Sequence, residues 1–281
     1  MKIAFVAQTH YFDCAIPNQL PGHDIKVFDY SWGQDTSVIV KEKDNFDIWF
    51  FIRGEHFPEK DLKKLSGKKV WISTEPIERE GVINEIRTGM NKPFDKKYHY
   101  DKTHLSKLRG LGYYFNDEFQ LPVNLDVYTP PEIFDEKYDF CFVGRSTPRR
   151  EEYMANLKHN YKFIHVAHGL IGKDYVDMIT KAKINLNLHI DTYPQLQHRV
   201  QNMLACGCFV MSELLTHNED LRPMEHYIPI TSVNDINSAG VKFLRDQDNR
   251  DLIAKQGYEY VKERFDSVKC WNELIKEVDG Q

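Results

Sequence analysis

The sequence predicts an α/β protein built from two doubly wound, Rossmann-like domains. Three observations predict it. Short apolar runs alternate with helical stretches, the pattern of a parallel sheet covered by helices. That pattern stops at LPVNLDVYTPPE (121–132), which holds three prolines and has neither a helical nor a strand period, and it restarts at KYDFCFVGR (137–145). The 281 residues are enough for two domains of ordinary size, each with its own core.

In order along the chain, KIAFVA (2–7) reads as a buried parallel strand, being a short apolar run closed by polar residues. HDIKVFDY (23–30) follows a Pro-Gly turn and is the second strand, and FDIWFFIRG (46–54) is the third. FPEKDLKKLSG (57–67) has Pro near its start and Gly at its end, so it predicts a helix. KKVWISTEP (68–76) is the fourth strand, followed by a helical stretch over 77–90, the segment 97–102, a helix over 103–112 and a strand at GYYFN. After the linker come a strand at 137–145, a helix at 149–159, strands at 161–169 and 182–190 separated by a helix near 172–181, the helix 198–206, and strands at 208–213 and 227–230. Helices near 234–246, 248–264 and 267–278 close the chain. The expected domains are 1–130 and 131–266, with 267–281 as a separate final helix.

Net charge is −5, from 37 Lys and Arg against 42 Asp and Glu, which argues against a protein that lives on nucleic acid or an anionic membrane. No apolar run approaches the ~18 residues of a membrane span, and the first residues do not form a signal peptide. A cytoplasmic location is expected. The five cysteines lack C-x-x-C spacing and sit among apolar residues, so they read as buried reduced thiols.

In parallel sheets of this kind, ligands bind beyond the carboxyl ends of the strands, here in a cleft that the two domains face. The strand ends therefore carry the candidate residues. In the second domain Gly144 permits a tight turn, and Arg145, Arg149 and Arg150 flank a helix start, a combination suited to a phosphate or diphosphate. A solvated basic helix start is the competing reading. His168 and Gly169 form a polar turn after the next strand, and His189 ends the one after that; either histidine could equally be an ordinary surface or core residue. Arg199 and Asn202 lie one turn apart on one helix face, with Arg199 unfavourably placed near the helix start unless an anion is held there. Asn202 suits hydroxyls such as those of a ribose, and the Gly207 turn is expected to bring backbone amides to whatever Arg199 holds. There is no P-loop, no G-x-G-x-x-G after the first strand of either domain and no H-x-x-x-H pair.

The order YDFCFVGRSTPRREEYMANL, AKINLNLH, RVQNMLACGCFVMSE and DNRDLIAKQGYEYVKERF resembles the GT-B glycosyltransferases, and within them the group typified by the spore-maturation protein CgeB. The resemblance covers roughly 137–278 and is thinner over the first domain. It implies a nucleotide-sugar donor in the second domain, an acceptor facing the first, and a final helix crossing back to the first domain. Gly144 and Arg145 match the family's glycine-turn phosphate region, Arg199 its arginine and Gly207 its glycine. Asn202 stands where the family usually has the Glu that holds the donor ribose.

An inverting transferase needs a general base near the acceptor hydroxyl, and the first-domain strand ends offer Glu75 and His10, with Arg53 and Glu55 nearby. Glu75 could instead cap the following helix. No cofactor and no metal are expected, the arginines replacing a metal's charge. The acceptor could be a glycan, small molecule, protein or nucleic acid, the last by way of a groove lined by Lys63, Lys64, Lys68 and Lys69. Two alternatives stay open: a catalytically silent nucleotide-sugar-binding or coat-associated protein, and a sugar-nucleotide epimerase.

Overall fold

The structure is a computed structural model, and it describes residues 1–216 and 220–280. The chain divides into two compact units, Met1–Pro122 with Ser267–Gln281, and Val123–Asp266. Residues 123–130, assigned by sequence to the end of the first domain, thus belong to the second unit.

The first unit runs β1 (Lys2–Ala7), α1 (Thr9–Phe12), β2 (Asp24–Asp29), α2 (Ser37–Lys41), β3 (Ile48–Ile52), α3 (Glu59–Leu62), β4 (Lys68–Ser73), α4 (Val82–Met90), β5 (Lys96–His99), α5 (Lys102–Gly110) and β6 (Asp117–Glu118). Its six strands are all parallel, in the order β2-β1-β3-β4-β5-β6. The period of two decides which face each residue enters. Ile3, Phe5, Ile48, Phe50, Val70 and Ile72 enter one apolar cluster. Ala4, Val6, Trp49, Phe51 and Trp71 enter the other. A strand buried on both faces reads as a continuous apolar run, which is why IWFFI was visible as one.

The second unit runs β7 (Tyr138–Val143), α6 (Pro148–Asn160), β8 (Phe163–Val166), α7 (Gly172–Ile179), β9 (Ala182–Asn187), α8 (His198–Ala205), β10 (Val210–Glu213), β11 (Ile228–Ile230), α9 (Val233–Arg245) and α10 (Gln247–Arg264). Its five parallel strands are ordered β11-β10-β9-β7-β8. Phe140, Phe142, Ile184, Leu186 and Met211 share its core with Ile253 and Ala254 of α10.

The final helix, α11 (Ser267–Asp279), packs into the first unit's core through Trp271, Leu274, Ile275 and Val278. The Trp271 ring lies 4.8 Å from Phe5, 5.0 Å from Phe50 and 4.7 Å from Phe119, and its Nε1 donates to the Ala15 carbonyl at 2.7 Å.

Three sequence expectations need correction. The helix expected over 57–67 is only Glu59–Leu62, because a 3₁₀ turn at Gly54–His56 and Pro58 consume its start. The helix expected over 77–90 begins at Val82, after Gly81 in a left-handed conformation (φ 87°). The strand expected at 112–116 is instead the two-residue β6, Asp117–Glu118. All five cysteines are buried free thiols.

Candidate functional site

The chain leaves β7 at Val143 and turns at Gly144, where φ is 155°. A Cβ there would stand 2.9 Å from Nη1 of Arg199. Glycine is therefore what lets this guanidinium reach the strand end, where Nη1 donates to the Val143 carbonyl at 3.0 Å. The guanidinium also sits 5.7 Å from the centre of the Phe142 ring. His165 of β8 fixes the same turn through a 2.8 Å contact between Nε2 and the Gly144 carbonyl.

Thr147 then caps α6, its hydroxyl accepting from the Arg150 amide at 3.3 Å, and Pro148 takes the first turn, where no amide is needed. Arg150 is 2 % exposed. Its Nε and Nη2 donate to the Leu188 carbonyl at 3.0 and 2.7 Å, and its Nη1 to the Arg145 carbonyl at 2.9 Å. It thus stitches the turn after β7 to the chain leaving β9. Burial, reinforced by the charges of Arg199 and Arg145, pushes Arg150 down to about 9, which still leaves it a cation at neutral pH.

Arg149 has a different partner. It forms a two-pronged pair with Glu213 at the end of β10, Nη1 to Oε2 at 2.9 Å and Nη2 to Oε1, and Nη1 also donates to the His189 carbonyl at 3.0 Å. Glu213 accepts the His189 amide as well, at 2.6 Å. The His189 side chain is buried and its Nε2 has no hydrogen-bond partner. Burial pushes its pKa down to about 4 against the pull of Glu213, so the ring is neutral at pH 7.

Of the four arginines here, Arg149 takes the Glu213 carboxylate and Arg150 donates to backbone carbonyls. Arg145 is exposed, and neither it nor Arg199 has a carboxylate partner among the described residues. Burial lowers the Arg199 pKa. A half-buried cation without a counter-ion beside a helix N-terminus is an arrangement that an anion would complete. On the same helix as Arg199, Asn202 is 7 % exposed and its Oδ1 has no hydrogen-bond partner.

The structure thus brings Gly144, Arg145, Arg149, His189 and Arg199 together at the carboxyl ends of β7, β9 and β10. It corrects the expectations for Arg149 and Gly207, and leaves His168 and Gly169 at an exposed turn after β8. Arg149 is occupied by Glu213 and is not a free anion donor. His168 is exposed, and Gly169 (φ 88°) has no neighbour within 4 Å of a built Cβ. Gly207 lies at the far end of α8 from Arg199, before β10 begins, where a Cβ would meet Pro130 at 3.2 Å and Phe134 at 3.4 Å. Its amides cannot serve Arg199; its φ of 68° turns the chain against the 130–134 segment. The sequence reading missed Glu213 and His165. CFVMSE ends a strand in a carboxylate, and that was the available signal for Glu213.

In the first unit, Glu75 follows β4 and is held between two arginines, with Arg53 Nη1 at 2.9 Å from its Oε1 and Arg79 Nη1 on its Oε2. Burial raises its pKa and the two guanidiniums oppose the rise. Arg53 also reaches Glu55 at 3.2 Å and Glu85 at 3.1 Å, from a left-handed backbone (φ 64°) that is rare outside glycine. His10, after β1, is exposed and lies 3.9 Å from the Tyr11 ring. The four lysines weighed as a basic groove are each paired: Lys63 with Glu59, Lys64 with Asp61, Lys68 with Asp279 and Lys69 with Asp95.

The sequence reading held that no Asp-x-Asp spacing occurs and took that against a diphosphate-bound metal, but one is present, at Asp246 and Asp248. Asp246 caps α10, accepting from the Asn249 amide at 3.3 Å. The group with metal-ligand spacing among the described residues is Glu55, His56 and Glu85, and the Arg53 guanidinium contacts all three.

Two parallel sheets with interleaved helices, one of them with a cation-rich strand end, define an α/β protein. Residues 132–276 match the glycosyl transferase-like family, and the chain belongs to it. No curated protein matches the chain in sequence. Among solved structures, it is similar to Anabaena HepE in complex with UDP-glucose, at a TM-score of 0.69 and 10 % identity over 100 % of both chains. It is also similar to an alpha-glucosyltransferase in complex with UDP-glucose and DNA containing an abasic site, at 0.68 and 12 % over 99 % of both chains. A third is the sucrose-phosphate synthase of Thermosynechococcus elongatus, at 0.66 and 11 % over 100 % of this chain and 99 % of that one. At these identities the likeness is one of fold. Among the described residues no helix is long and apolar enough to cross a membrane.

Proposed function

We propose that this chain is a GT-B glycosyltransferase of the CgeB-like type, moving a sugar from a nucleoside-diphosphate donor to an acceptor hydroxyl without a metal. The observation that carries the reading is the pair Arg145 and Arg199, two guanidiniums without carboxylate partners at the end of β7. Solved structures of similar fold hold UDP or UDP-glucose, which supports a nucleotide-linked donor. As the bond between sugar and diphosphate breaks, negative charge grows on the leaving phosphate oxygen. Guanidiniums fixed in advance stabilise that charge, which a divalent cation would otherwise do. Arg150 and Arg149 hold the frame by tying the β7 turn to β9 and β10. The unfilled Oδ1 of Asn202 is an acceptor for a ribose hydroxyl.

The general base is drawn from Glu75 and His10. Glu75 would have to leave two arginines to act, whereas the exposed His10 ring has no such tie.

A thermal-shift series with UDP, GDP, ADP, CDP and dTDP, with and without EDTA, tests the donor site. One nucleotide should stabilise by about 2.7 kcal/mol at a hundredfold excess over its Kd. The shift should survive EDTA and vanish in Arg199→Ala. Silence with all five nucleotides removes the donor reading, and a shift abolished by EDTA removes metal independence. Asn202 also favours a second reading, a catalytically silent binder; a nucleotide shift with no donor consumed under any acceptor would establish it.

A further inference from the structure

The first unit carries a second feature that the donor site does not use. A pocket of about 580 Å³ opens at the ends of β2 and β3, and Trp32, His56, Asn84, Glu85 and Thr88 are among its lining. Trp32 is 76 % exposed, while Trp49, Trp71 and Trp271 are fully buried. An indole left in water forgoes the free energy of its burial, so its position asks for an explanation. The ring is backed by His56, stacked at 5.0 Å between centroids and 23° between planes. His56 in turn contacts Arg53 Nη2 at 3.0 Å. The result is a flat aromatic platform at the mouth of a mostly apolar pocket that carries a few polar groups.

The polar groups around it have spare capacity. Glu85 gives Oε2 to Arg53 at 3.1 Å, while Oε1 has only His56, at 3.9 Å. The Asn84 side-chain amide makes no hydrogen bond among the described residues. Thr88, one turn on, donates to the Asn84 carbonyl at 2.9 Å and keeps its lone pairs. The floor is fixed: Lys92 donates to the Glu55 and Phe57 carbonyls at 2.5 and 2.6 Å, and Glu55 Oε2 takes the Trp71 indole N–H at 2.7 Å. The charged lining is Glu55, Glu85 and Lys92, and Arg53 pairs with both carboxylates. There is no surplus of positive charge to attract a phosphate backbone.

We propose that this pocket binds a neutral pyranose ring, its C–H face on Trp32 and its hydroxyls on Glu85 and Asn84. An aromatic plane supplies area while a few convergent acceptors and donors fix orientation, and a polyol with one apolar face uses both. That this ring belongs to the acceptor rests on the transferase reading above; that it binds does not.

Because Trp32 is the exposed tryptophan, acrylamide quenching of the intrinsic fluorescence reports on it. The probes are the methyl α- and β-glycosides of glucose, galactose, mannose and N-acetylglucosamine. At least one should shield Trp32 saturably, and Asn84→Ala should weaken it about tenfold. In Trp32→Ala, saturation-transfer NMR should show that glycoside's binding lost, while the nucleotide thermal shift persists. No shielding by any glycoside up to about 100 mM, a binding free energy weaker than about 1.4 kcal/mol, overturns the proposal. So does shielding by a short single-stranded oligodeoxynucleotide but by no glycoside. Glycoside binding in a protein that shows no nucleotide shift leaves the pocket standing and removes only its acceptor role.

Discussion

The strand ends of the two units solve opposite electrostatic problems. In the first unit one arginine, Arg53, faces three carboxylates, Glu55, Glu75 and Glu85. In the second, Arg149 pairs with Glu213, while neither Arg145 nor Arg199 has a carboxylate partner among the described residues. The first arrangement satisfies itself, with each charge answered by protein. The second does not, and two of its cations are left to be answered from outside. A cluster of charge is thus no sign of a ligand by itself; the sign is the part of it that the fold leaves unpaired.

The sharpest test of that contrast is Arg53→Ala. It takes the guanidinium from Glu85 and from Glu55, which is 4 % exposed, while Glu75 keeps Arg79, and should cost about 3–5 kcal/mol in urea unfolding of the first unit. A loss under about 1 kcal/mol would mean that water already screens the cluster. The second unit should instead be sensitive to acid. The folded state keeps His189 neutral with a pKa near 4, below the ordinary value of 6.5. The unfolded chain therefore binds the extra proton first as pH falls. Stability held above pH 6.5 should decline as pH falls from 6.5 to 4, by on the order of 3 kcal/mol. His189→Asn should flatten that slope in unfolding measured against pH.

Arg199→Ala should separate binding from folding. It removes a cation that no protein carboxylate answers, so stability should change by less than about 1 kcal/mol while the nucleotide shift disappears. A large stability loss would make Arg199 a structural residue like Arg150. Gly144→Ala comes last: its Cβ would press on Arg199 Nη1 at 2.9 Å, and a cost of about 1–2 kcal/mol with weakened nucleotide binding is expected.

Strand positions in this chain are legible because parallel strands buried on both faces leave unbroken apolar runs, as at Ile48–Ile52 and over 140–143. Short helices such as Glu59–Leu62 are not, because packing and not periodicity sets their length. At the site, a glycine after a strand followed by arginines marked the cation-rich strand end. Which arginine is free could not be read, since the pairing of Arg149 with Glu213 spans 64 residues. Gly207 shows the converse: the turn after the helix was expected to serve what Arg199 holds, but a helix of eight residues separates its two ends by about 12 Å.

Trp271 has a consequence for how the protein is made. It sits at the centre of the first unit's core, yet 256 residues separate it from the carbonyl its indole N–H contacts. A ribosome therefore releases the first sheet long before its keystone ring exists, and the whole second unit emerges in between. The half synthesised earliest should be the half that locks last. Until α11 arrives, the apolar face formed by Phe5 and Phe50 stays open, a window in which a nascent chain is most open to chaperones and to its neighbours.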